Sequence, residues 1–89
     1  MKHARQDYDR IQDPAGKIPE DEPVFLIRGQ DRAGPATVRF WASEATRAGA
    51  RPDIVQRALQ WADEMEKWQL AHGNKVPDMP TYRAQRGEG

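Results

Sequence analysis

Apolar positions along this chain fall into three patterns. The first is a continuous run, Val24-Phe25-Leu26-Ile27. It is entered through Pro19-Glu20-Asp21-Glu22-Pro23 and stopped by Arg28-Gly29-Gln30-Asp31. A short apolar run with β-branched members, set between chain breakers, predicts one short β-strand. No second run of this kind exists. The strand is expected to pair with the N-terminal arm or with its copy in another subunit, or else to stay a buried extended segment.

The other two patterns are helical. A first helix is predicted from between Asp31 and Pro35 to about Ala48, with Asp31 as N-cap and Gly49 as the stop. Val38, Trp41, Ala42, Ala45 and Ala48 recur on one face at spacings of three and four. A second helix is predicted from Pro52, with Asp53 in its first turn, to His72-Gly73. Its stripe is Ile54, Ala58, Trp61, Met65 and Trp68, widened by Val55, Leu59 and Ala62. Arg57, Gln60, Asp63, Glu64 and Lys67 read as the solvated opposite face. The three tryptophans and Met65 are expected in the core. The short link Gly49-Ala50-Arg51 makes the pair an αα-hairpin.

The expected fold is therefore mostly α: a helical hairpin with an extended N-terminal arm and one short β-strand. The arm covers 1–23, the strand and hairpin 24–72, and an extended C-terminal tail 73–89. Asp13-Pro14-Ala15-Gly16 reads as a turn within the arm. Only Tyr8, Ile11 and Ile18 offer apolar anchors there.

Composition narrows the function. A chain of 89 residues is one domain at most, and its core is small. It has no cysteine, so neither disulfides nor thiolate chemistry reinforce it. Oligomerisation is the remaining reinforcement, and a homo-oligomer is expected. Fourteen basic and fourteen acidic residues give a net charge of zero. That disfavours nucleic-acid binding, which runs on a basic footprint. No apolar stretch approaches the roughly 20 residues of a membrane span, and no signal-peptide core opens the chain. The expected location is the cytoplasm.

Catalytic signatures are not found, and the chain is expected not to be an enzyme. His3 and His72 do not form a metal-ligand pair, so neither a metal nor a cofactor is expected. Ser43 lies mid-helix without a glycine-rich elbow. Glu20, Asp21 and Glu22 sit in a proline-bounded loop that reads as solvated, without the burial a general acid needs. The segment Gly29 to Pro35 lies between a strand-like run and a helix start, where anions bind, although its glycine spacing fits neither nucleotide fingerprint. Candidate ligand-binding residues are Arg28, Gln30, Asp31 and Arg32, joined from the arm by Tyr8, Arg10 and Gln12. Arginine suits bidentate contact with phosphate, and Tyr8 would stack on a base.

The segments Tyr8 to Pro14 and Lys17 to Asp31, continued by Pro35, Val38, Trp41-Ala42 and Gly49-Ala50 and by Met65 and Trp68, carry a resemblance. Over about residues 8–70 the chain resembles small uncharacterised proteins encoded by phages, prophages and plasmids. That resemblance implies a counter-defence role in the host cytoplasm. Two functions follow as expectations. One is a non-enzymatic binder that sequesters a small anionic, nucleotide-type ligand in an oligomer. The other is an inhibitor or adaptor that blocks a host protein through its helical face.

Overall fold

The structure is a computed structural model that describes residues 13–77. The chain divides into two compact units. Residues 13–26 are the described part of the first, and Ile27–Pro77 form the second.

In the first unit, the Asp13 turn forms as its residues predict. Gly16 takes φ +62° and donates its N–H to the Asp13 carbonyl at 2.9 Å. The Asp13 carboxylate then accepts the N–H groups of Lys17 (3.1 Å) and Ile18 (3.0 Å), a local pairing that competes well with regular structure. A second turn follows, in which Glu22 donates to the Pro19 carbonyl at 3.1 Å. The predicted strand over 24–27 does not form: no strand occurs among the described residues, and Phe25 stays 69% exposed. A strand needs a ladder of consecutive bridges, and over 24–27 only Val24 carries one.

The second unit is two helices and their flanks. Helix α1 spans Gly34–Arg47 and α2 spans Pro52–His72. Both begin on a proline in the first turn, where the missing N–H does no harm. The hairpin link closes on a Schellman motif. Gly49, at φ +87°, donates to the Thr46 carbonyl at 3.1 Å, and Ala50 donates to the Ala45 carbonyl at 2.9 Å. Gly73, at φ +90°, ends α2. No described helix is long and apolar enough to cross a membrane.

The two helices pack along a line of small residues. Ala42, Ala62 and Met65 are the buried apolar side chains, with Gly34 and Pro35 buried at the start of α1. Gly34 is a close approach: a Cβ there would meet the Ile27 Cγ2 at 3.2 Å and the Met65 sulfur at 3.5 Å. No large side chain is fully buried among the described residues. The tryptophans expected in the core are therefore half outside it: Trp41 is 50% exposed, Trp61 58% and Trp68 42%. Two helices cover one seam of each other, and an apolar stripe wider than that seam spills onto the flank.

One flank of the hairpin is closed by charge. Arg39 on α1 donates to both oxygens of Glu66 (2.9 and 2.8 Å) and to Asp63 (2.9 Å) on α2. These hydrogen bonds hold the Glu66 carboxyl below its ordinary range and raise the Arg39 guanidinium further. The other ion pairs, Arg47–Glu44, Arg51–Asp53 and Lys67–Glu64, are local and exposed, and such pairs contribute little.

Candidate functional site

Two places compete as the working surface: the polar turn before α1 and the apolar flank of the hairpin.

The turn comprises Arg28, Gln30, Asp31 and Arg32, brought together as their sequence positions require. Its backbone is almost wholly engaged in holding the fold. Asp31 donates to the Arg28 carbonyl at 3.0 Å, and its own carbonyl accepts the Gly34 N–H at 2.9 Å. The Asp31 carboxylate accepts the Ala33 N–H at 2.8 Å. It does not sit at the N-cap as expected: that position is Ala33, which has no capping side chain, so Asp31 organises the turn two residues ahead of the N-cap.

The turn is then tied to α2 and to the segment beyond it. The Gln69 side chain donates to the carbonyls of Gly29 (2.9 Å) and Asp31 (2.8 Å). Lys75 donates to the Gln30 carbonyl at 2.8 Å and accepts the Arg32 N–H at 2.9 Å, which makes a single parallel bridge between Asp31 and Lys75. Every buried polar side-chain atom among the described residues has a partner. Arg28 and Arg32 are exposed, and Gln30 is half-buried. Tyr8, Arg10 and Gln12, expected to join from the arm, lie outside the described residues.

The flank is different in kind. A groove of about 440 Å³ runs between α1 and α2, walled by Trp41 and Val38 on one side and Ile54, Ala58 and Trp61 on the other. Ile27 and Thr37 complete its lining, and Arg57 stands at its edge. A second groove, about 470 Å³, lies on the far side of Trp61, lined by Gly29, Gln60, Glu64, Met65 and Trp68. Trp61 is the ridge between the two. His72 stacks on Trp68 with ring centroids 4.3 Å apart and donates from Nδ1 to the Trp68 carbonyl at 3.0 Å, which stiffens that end of the surface.

Arg57 and Glu64 are exposed, as the solvated-face reading expects, and they also edge these grooves. The signal that marks them is their spacing, Arg57 one turn from Ile54 and Trp61, and Glu64 one turn from Trp61 and Trp68. No group of three or more His, Cys, Asp or Glu residues suited to a metal ion occurs among the described residues.

The chain matches no protein-family model, no curated protein and no solved structure in the comparisons made.

Proposed function

We propose that this chain is a non-enzymatic protein-interaction module whose contact surface is the apolar flank carrying Trp41, Ile54, Ala58 and Trp61. One observation carries the reading: Trp41 (50% exposed) and Trp61 (58% exposed) wall one groove in a hairpin whose buried apolar side chains are two alanines and a methionine. Contiguous apolar patches of a few hundred Å² on small proteins mark contact sites, and tryptophan is the commonest anchor of such contacts. The likeness to phage and plasmid proteins adds a setting, in which the chain blocks or bridges a host protein.

Sequestration of a small anionic ligand at Arg28, Gln30, Asp31 and Arg32 has less support. The Asp31 carboxylate and most of the backbone polar groups there are already engaged in the turn.

The test compares the full chain with Trp61→Arg, with helicity by circular dichroism as the folding control. The wild type is expected to assemble with itself in sedimentation or to retain a stoichiometric host protein on co-purification. Trp61→Arg is expected to lose that assembly. A wild-type chain that does neither overturns the reading.

A further inference from the structure

The identity of the occupant can be taken further, resting on the flank as a protein-contact surface. Ile54, Trp61 and Trp68 are spaced seven apart on α2 and are 48%, 58% and 42% exposed. Seven residues are close to two helical turns, so the three stand in one line about 21 Å long. Arg57 and Glu64 stand in the gaps. Relative to Trp61, the line is symmetric in its apolar members, at seven before and seven after. It is opposite in its charges, with Arg57 four before and Glu64 three after.

Arg57 is also the odd cation of the hairpin. Arg39, Arg47 and Lys67 each hold a carboxylate at 3.3 Å or less, and Arg57 holds none among the described residues. A partner for this line must therefore bring an acid to Arg57 and apolar side chains beside it, and a cation it brings to Glu64 would share or replace the exposed local pair with Lys67 at 3.3 Å.

We infer that the occupant is the α2 helix of a second copy of this chain, laid antiparallel across a two-fold axis at Trp61. In that arrangement each Arg57 reaches the second copy's Glu64, each Ile54 meets the second copy's Trp68, and the two Trp61 rings pack together. The surface is self-complementary, as an isologous interface requires. A heterologous helix would have to reproduce the same alternation of apolar and charged positions, which α2 already contains.

Size agrees. At roughly 250 Å² per tryptophan side chain, the exposed parts of Trp41, Trp61, Trp68 and Ile54 present about 400 Å² per chain. Doubled, and with the groove edges added, this approaches the about 1,200 Å² at the lower end of specific interfaces. With a net charge of zero, two copies do not repel.

Sedimentation velocity and light scattering of the full chain from about 1 to 200 µM test this, a range that covers micromolar self-association. A dimer is expected. Arg57→Glu and Glu64→Arg each weaken it at least about tenfold, by placing like charges opposite each other. The double swap Arg57→Glu/Glu64→Arg restores affinity to within about threefold, because both pairs reform with reversed sign. A dimer indifferent to Arg57→Glu overturns the antiparallel arrangement. A monomer at every concentration overturns the self-pairing. If that monomer still retains a protein that Trp61→Arg releases, the flank remains a contact surface and only the occupant is different. If it retains none, both readings fall.

Discussion

Gln69 and Asp31 are 38 residues apart and joined by a 2.8 Å hydrogen bond from the amide side chain to the main-chain carbonyl. The second hydrogen of the same amide goes to the Gly29 carbonyl at 2.9 Å. One side chain thus satisfies two half-buried acceptors and holds the turn before α1 against the end of α2. Gln69→Leu removes the donor from the Gly29 carbonyl and leaves the Asp31 carbonyl with the Gly34 N–H alone, and is expected to cost about 1–3 kcal/mol in urea denaturation. Gln69→Glu sets a carboxylate against the same two oxygens and is expected to cost at least as much. A neutral result for both would mean the turn is held elsewhere.

Gly34 is tight against Ile27 and Met65, with 3.2 Å and 3.5 Å left to an added Cβ. Gly34→Val is expected to destabilise by about 1–3 kcal/mol through overpacking. Full stability with Val would show that α1 can slide away from Ile27 without loss.

Met65 and Trp61 are four residues apart on α2, yet Met65 is 8% exposed and Trp61 58%. Met65→Ala is expected to cost about 2–4 kcal/mol, as a buried large-to-small change. Trp61→Ala, measured on dilute protein, is expected to cost less than about half of that. Equal losses would place Trp61 in the core and remove the basis for the flank as a contact surface.

Acid stability follows from Arg39. Its hydrogen bonds hold the folded Glu66 carboxyl below the ordinary value of 4.5. A depressed carboxyl contributes stability that is present above its unfolded value and lost as pH falls through the folded one. Thermal stability is therefore expected to decline below about pH 4.5, and Arg39→Ala to flatten that decline while lowering stability at neutral pH. An acid limb identical in Arg39→Ala and wild type would assign it to other carboxylates.

The helices are legible in the sequence because their ends are local chemistry. Pro35, Pro52, Gly49 and Gly73 place the boundaries of α1 and α2 within about a residue of the expected ones. The apolar run at 24–27 marks where pairing can start, and Val24 carries one bridge, but a strand needs a ladder of bridges, which the run itself does not encode. Another isolated bridge, parallel, joins two charged residues, Asp31 and Lys75. Periodicity likewise puts Trp61 and Trp68 on one face of α2 and Trp41 on the apolar stripe of α1, and cannot say whether anything covers them. Of the candidate site, the segment Gly29 to Pro35 leads into a helix start, as its residues imply. Gln69 was invisible, since hydrogen bonds to distant carbonyls leave no trace in spacing.

The attachments of that turn also order the way the native chain opens. The link between α1 and α2 is four residues, so those helices rejoin at little entropic cost. The bonds from Gln69 and Lys75 to residues 29–32 are hydrogen bonds that close loops of about 40 residues. The easiest excursion from the native state is therefore release of this segment while the hairpin holds. Amide hydrogens of Arg32 and Lys75 should then exchange with solvent ahead of those in the middle of α1 and α2.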